Sequence, residues 1–150
     1  MPTDEVSSVG SASRDYSTPD AFMVATASRN CVSEDIRLIG RCYSDPHPVT
    51  SFPGGYWVGA TVDSTRYRMI DVEPGHEWNE LEGSGVYFGV DWMSTYMFSP
   101  VENYKRFIGP MKLAPGPNSS IAPKAVRGGG AGSIIDSIFG IVVQLTFQVE

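Results

Sequence analysis

The two histidines, His47 and His76, are the residues of this chain that could most readily transfer protons or bind a metal. His76 begins a His-Glu pair of the kind that zinc proteases carry on a helix. A second histidine is missing at the required spacing, and Pro74-Gly75 just before this pair disfavours a helix running through it. We therefore expect both histidines to lie in loops, His76 exposed, with no metal site and no cofactor.

Serines and carboxylates offer two further catalytic arrangements. A Ser-His-Asp triad is defined by geometry and not by spacing, and the chain lacks the Gly-x-Ser-x-Gly motif that would mark a nucleophile. Glu80 and Glu82 could form an acid/base pair, but a solvated acidic loop is the better explanation. We predict that the protein is not an enzyme and assign no catalytic residue; a hydrolase that uses His47 or His76 is the most distant of three hypotheses.

Aromatic side chains beside turns indicate a binding function more strongly than the histidines, serines and carboxylates indicate catalysis. Tyr56, Trp57, Trp78 and Trp92 lie in or beside predicted turns or at strand ends, and Trp57 is out of phase with the apolar residues that follow it. Exposed tryptophan and tyrosine rings stack on sugar rings or anchor protein contacts. Core packing is the alternative for any one of them. These four are the candidate binding residues.

Charge and composition exclude several classes of function. The 11 basic residues against 17 acidic residues give a formal net charge of −6, whereas a protein that neutralises phosphates needs clustered Lys and Arg. The closest basic pairs, Arg66/Arg68 and Lys105/Arg106, are expected to be solvated at strand edges. No stretch approaches the roughly 20 apolar residues of a membrane span. We expect no direct contact with nucleic acid and no membrane span.

The two cysteines, Cys31 and Cys42, leave their redox state open. Adjacent strands could bring them together, and a disulfide would need their Cα atoms within about 7 Å of each other. Two reduced, partly buried thiols are favoured over a disulfide, and a zinc site would need more ligands than the cysteines and histidines supply.

Apolar and polar residues alternate along much of the chain, with Gly and Pro between the alternating runs. Residues 141–150 form the clearest run, with apolar residues at every second position. Further strands are predicted over residues 21–27, 33–43, 56–62, 65–72 and 85–92, with a hairpin joining 56–62 to 65–72, a turn at 73–75 and a helical turn at 133–139. The pattern predicts an all-β protein, an antiparallel β-sandwich or jelly roll.

The predicted strands group into one domain preceded by an arm. Residues 1–19 are rich in Ser, Asp, Thr and Gly and poor in apolar residues, which is typical of a flexible N-terminal arm. Residues 20–150 are long enough to build one hydrophobic core. We predict an arm at 1–19 and a single β-sandwich domain at 20–150.

Three features together resemble a piece of a coat protein from small RNA viruses. They are the polar arm, the body punctuated by Pro and Gly, and a last strand that starts at Gly140-Ile141 and ends in Val149-Glu150. Jelly-roll capsid domains often close with such a strand, so the resemblance implies that fold. Coat proteins that touch the genome carry a basic arm, and this arm is acidic. The resemblance therefore implies an outward-facing component, such as a protruding domain or one of several coat proteins cut from a polyprotein.

The leading hypothesis is a structural component of a viral capsid, located in the virion. Its partners would be coat subunits, either copies of itself or different chains, and it would mediate host attachment to a receptor or glycan. Loops at residues 44–55 and 75–85 would be available for these contacts. The alternative is a carbohydrate- or ligand-binding β-sandwich module, secreted or cytoplasmic, that uses the candidate tryptophans.

Overall fold

The computed structural model of the chain describes ten segments of it, which contain ten strands and two helices. The described residues are 1–45, 50–51, 56–57, 59–79, 81–91, 96–100, 104, 106–115, 124–126 and 134–140. The strands are β1 (Thr3–Val9), β2 (Ile36–Cys42), β3 (Thr50–Ser51), β4 (Tyr56–Trp57), β5 (Arg68–Val72), β6 (Tyr87–Asp91), β7 (Tyr96–Pro100), β8 (Arg106–Pro115), β9 (Lys124–Val126) and β10 (Ile134–Gly140), and the helices are α1 (Pro19–Ala25) and α2 (Cys31–Glu34).

Within the described residues, every pairing between strands is parallel. β1, β2, β5, β8 and β10 lie side by side in chain order, and β6 pairs with the later part of β8 and with β3. A second sheet has the order β4-β7-β9. In the larger sheet β5 lies beside β2 and β8 beside β5, whereas β6 and β3 lie beyond β8 although both precede it in the chain.

The predicted antiparallel β-sandwich or jelly roll is therefore wrong. The predicted hairpin is wrong as well, because β4 pairs with β7 while β5 lies between β2 and β8. Successive side chains of a strand point to opposite faces of the sheet, whether the neighbouring strand runs parallel or antiparallel. Parallel neighbours must be joined by a long connection and not by a tight turn, and alternation within a strand carries no information on this choice.

Three strand predictions are confirmed, and one predicted helix is wrong. β2, β5 and β6 lie within the predicted runs 33–43, 65–72 and 85–92. The predicted helical turn at 133–139 is wrong because β10 occupies that position and pairs with β8. The predicted strand at 141–150 lies outside the described residues.

Strand β1 belongs to the segment that we expected to be an arm. All seven of its residues pair with β2, from Thr3 opposite Ile36 to Val9 opposite Cys42. Val9 is its only buried residue. A strand at the edge of a sheet needs few apolar side chains, and polar or charged ones discourage further pairing. The division into an arm and one domain stays a prediction.

Helix α1 takes the place of the first predicted strand, and local capping explains it. The Thr18 side chain accepts a hydrogen bond from the Ala21 N–H at 3.0 Å, and Pro19 occupies the first turn, where its missing N–H costs nothing. Phe22 is fully buried. A Cβ atom on Gly40 of β2 would lie 2.8 Å from the Phe22 ring, so the glycine lets the helix pack closely on the sheet.

Arg68 is buried in the core and not solvated at a strand edge as we expected. Its side chain is 0% exposed, and its Nη1 donates to the Met23 carbonyl at 2.6 Å and to the Thr26 hydroxyl at 3.1 Å. Both acceptors lie at the carboxyl end of α1, where helix carbonyls lack partners within the helix. Arg68 therefore joins β5 to α1 across the core.

Neither Cys31 nor Cys42 forms a disulfide, which confirms the favoured expectation of reduced thiols, and both are fully rather than partly buried. Burial raises the pKa of the Cys42 thiol, and the nearby Asp71 carboxylate raises it further. Neither helix in the described part of the chain is long and apolar enough to cross a membrane.

Candidate functional site

The segment that follows β5, residues 75–85, will be called the cleft loop. It begins in a β-turn in which the His76 N–H donates to the Glu73 carbonyl at 2.9 Å. Pro74 and Gly75 are the central residues, and Gly75 has a φ of 88°, as expected for a type II turn. The turn predicted here is confirmed.

A second turn closes the cleft loop through its backbone. The Asn79 N–H donates to the Ser84 carbonyl at 2.8 Å, and the Gly83 N–H donates to the Asn79 carbonyl at 2.8 Å. The Val86 N–H donates to the His76 carbonyl at 2.9 Å and so joins the two ends of the loop. These main-chain bonds connect the described residues of the loop to one another.

An open cleft of about 500 Å³ lies against the cleft loop. The described residues that line it are polar apart from one aromatic ring and two glycines; they are Ser44, Gly75, Glu77, Trp78, Asn79, Glu82, Ser84 and Gly85. The volume is within the range of small-molecule sites, roughly 300–1,000 Å³. Ser44 is the first residue of one predicted contact loop, and it lies beside the cleft loop, which is the other.

Ser44 and His76 are hydrogen-bonded at one side of this cleft. The Ser44 N–H donates to His76 Nδ1 at 3.1 Å, and the Ser44 Oγ lies 2.7 Å from the same nitrogen. A ring nitrogen that accepts a backbone N–H carries no proton, so the Ser44 hydroxyl donates to it. The Tyr43 ring packs edge-on against His76, with 5.1 Å between ring centroids. His76 is thus half-buried instead of exposed.

Asp45, which follows Ser44 in the chain, is buried and forms an ion pair with Arg14. Its two carboxylate oxygens accept hydrogen bonds from Arg14 at 2.8 and 2.9 Å, and the Ala12 N–H donates to it at 3.2 Å. The Arg14 guanidinium also lies 3.8 Å from the centre of the Tyr43 ring. The hydrogen bonds from Arg14 hold the pKa of Asp45 below its ordinary value, against the opposing effect of burial.

Asp45→Asn should lower the free energy of unfolding by about 1.5–3 kcal/mol at pH 7, because it removes charge-assisted hydrogen bonds. A carboxylate whose pKa is lower in the folded state stabilises the fold above its unfolded pKa of about 3.9. That stability is lost as the pH falls through the folded value. The difference between wild type and variant should therefore shrink from pH 7 to pH 3 in urea unfolding, and a constant difference would contradict the assignment.

Trp78 is the predicted binding residue that the described structure places at the cleft. It is half-buried, and its ring centroid lies 6.0 Å from that of Tyr87. Tyr56 and Trp57 form β4 in the second sheet, and nothing is described of their side chains. Trp92 and His47 lie outside the described residues.

Sequence reasoning missed the pairing of Ser44 with His76. The two residues are 32 positions apart, and neither spacing nor composition marks them as neighbours. The pairing of β2 with β5 brings the two residues together. β2 ends just before Ser44. β5, which is the parallel neighbour of β2, ends just before the cleft loop. Parallel neighbours end at the same edge of a sheet.

Among the residues that the structure describes, no group of three or more His, Cys, Asp or Glu side chains is arranged to hold a metal ion. Comparison of the chain with protein-family models, with curated proteins and with solved structures finds no match. Functional inference therefore rests on the geometry and chemistry of the cleft.

Proposed function

We propose that the protein binds carbohydrate in the cleft beside Trp78. The observation that carries this proposal is a single aromatic ring among polar side chains in an open cleft of about 500 Å³. A sugar ring has an apolar face that packs on an aromatic ring and hydroxyls that need polar partners around its edge. Trp78 supplies the first kind of contact, and Asn79, Ser84 and the carboxylates supply the second.

The charges at the cleft favour neutral sugars over acidic ones. Glu77 and Glu82 line it, and the lining that the structure describes includes no lysine or arginine. Carboxylates accept hydrogen bonds from sugar hydroxyls but repel the carboxylates of acidic sugars. Glu77 is already oriented by the Gly75 N–H at 2.7 Å, and Glu82 accepts a bond from the Ser84 hydroxyl at 3.3 Å.

The role in a viral capsid, with coat subunits as partners and the virion as location, stays a prediction. The jelly roll that the resemblance implied is not the fold of the described residues. Attachment to a glycan was one part of that role, and a carbohydrate-binding cleft agrees with it. The cleft agrees equally well with the alternative prediction of a free-standing binding module, although the described residues do not form the β-sandwich of that prediction.

Trp78→Ala should weaken carbohydrate binding by about tenfold or more, since a buried aromatic anchor contributes about 2 kcal/mol or more to binding. A glycan array with neutral and acidic oligosaccharides would first identify a ligand for the wild-type chain, and calorimetric titration would then compare the variants. Leu81→Ala is the matched control, because Leu81 belongs to the same loop and is 99% exposed. Its affinity should equal that of the wild type.

Two results would contradict the proposed function. One is an array on which the folded wild-type chain binds no neutral or acidic glycan. The other is a ligand whose affinity is the same in the wild type, in Trp78→Ala and in Leu81→Ala, which would place binding away from the cleft.

A further inference from the structure

We propose that Ser44 and His76 form a nucleophile–base pair that hydrolyses acyl esters at the cleft. The pair is inferred from geometry alone, and it departs from our prediction that the protein is not an enzyme. The class of ester, an O-acylated neutral sugar, rests on the proposed carbohydrate function. The activity would remove acyl groups from the glycan that Trp78 holds.

The distance and the proton positions suit this role. Ser44 lines the cleft, and its Oγ lies 2.7 Å from His76 Nδ1, within the range for a nucleophile and its general base. The Ser44 N–H identifies Nδ1 as the unprotonated nitrogen of the imidazole. The Ser44 hydroxyl is therefore within hydrogen-bond distance of the group that would accept its proton.

His76 is held in place by its surroundings. Its N–H donates to the Glu73 carbonyl and its carbonyl accepts from the Val86 N–H, each at 2.9 Å. The edge contact with Tyr43 restricts the ring itself. A base that is positioned before the ligand arrives loses little entropy when the reaction begins.

Asp45 is not a hydrogen-bonded third member of this pair. Its oxygens already accept bonds from Arg14 and from the Ala12 N–H.

The reaction would follow two balanced steps. Ser44 Oγ forms a bond to the acyl carbon, its proton passes to His76, and the ester C–O bond breaks as His76 returns that proton to the departing sugar oxygen. Water then attacks the acyl-serine, giving a proton to His76, and the bond from Oγ to the acyl carbon breaks as Oγ takes the proton back. The net change is ester plus water to carboxylic acid plus alcohol.

Two features of the cleft favour esters of neutral sugars as substrate. An ester is cleaved more easily than an amide because an alkoxide is a better leaving group than an amide anion, and this suits a pair for which the described residues supply no hydrogen-bonded carboxylate behind the base. Glu77 and Glu82 repel acyl groups that carry a negative charge. A short neutral acyl group on a sugar hydroxyl meets both conditions.

A fluorophosphonate probe and p-nitrophenyl acetate test the pair without any glycan. The full-length wild type should be modified on Ser44, identified by mass spectrometry, and should hydrolyse the acetate ester. Ser44→Ala should abolish both, and His76→Gln should lower both rates by about 10²-fold or more. Ser64→Ala, which changes an exposed serine outside the cleft lining, should behave like the wild type.

The outcomes separate this proposal from the carbohydrate function. No modification of the folded wild type, modification at another serine, or equal hydrolysis by wild type and Ser44→Ala would overturn the pair, whatever the glycan array shows. Glycan binding is scored on the array, so its failure would overturn the substrate class and leave the esterase test standing. Circular dichroism of Ser44→Ala and His76→Gln verifies that lost activity is not lost folding.

Discussion

Arg68→Ala is expected to lower the free energy of unfolding by about 2–5 kcal/mol. The substitution opens a cavity in the core and removes the donor that satisfies the Met23 carbonyl and the Thr26 hydroxyl. A domain of this size is stable by roughly 5–15 kcal/mol in total, so the loss would be a large part of its stability.

The matched control is Arg66→Ala, two residues earlier in the chain. Arg66 is half-exposed and pairs with Asp35 at 2.7 Å and with Asp63 at 3.0 Å. Such solvent-screened surface pairs contribute little to stability. Urea unfolding followed by circular dichroism compares the two variants, and equal losses would show that Arg68 does not join β5 to α1 as described.

If Arg68→Ala does not fold, Thr26→Val provides a milder test of the same contact. Thr26 is 5% exposed, and its hydroxyl accepts from Arg68 and donates to the Phe22 carbonyl at 2.8 Å. Removing the hydroxyl should cost about 1–3 kcal/mol. A cost of zero would contradict the role of this contact.

Gly85→Ala should distort the cleft and weaken ligand binding by tenfold or more. Gly85 has a φ of 116°, which favours glycine, and an added Cβ would lie 2.2 Å from the Glu77 carbonyl oxygen and 2.5 Å from the Trp78 Cα. These are backbone atoms, so side-chain rotation cannot relieve the contact. The segment that carries Trp78 must move, and the cleft changes with it.

Gly83→Ala separates backbone strain from this steric effect. Gly83 also has a positive φ, 64°, but an added Cβ there would meet nothing within 4 Å. Backbone strain should lower the free energy of unfolding of both variants by about 1–3 kcal/mol. Overpacking should lower it by roughly a further 1–3 kcal/mol in Gly85→Ala alone. Only Gly85→Ala should also bind the ligand more weakly. Urea unfolding and calorimetric titration measure the two effects, and identical behaviour would contradict the close approach.

The sequence by itself located several elements and part of the site. Alternation predicted the runs that contain β2, β5 and β6, and Pro74-Gly75 predicted the turn that opens the cleft loop. These features depend on residues close in sequence, where side-chain period and the conformational limits of Pro and Gly decide the local structure. The cleft loop and Trp78 were predicted as contact candidates on the same grounds.

Only the tertiary structure decided which strands are neighbours and in which direction they run. A period of two is the same in parallel and antiparallel sheets, so the alternation that predicted the strands also agreed with a sandwich that the described residues do not form. As an arginine, Arg68 was expected at the surface, but it is buried because α1 places two hydrogen-bond acceptors beside it. Ser44 met His76 because β2 and β5 end at one edge of the sheet, a contact that depends on packing between residues 32 positions apart.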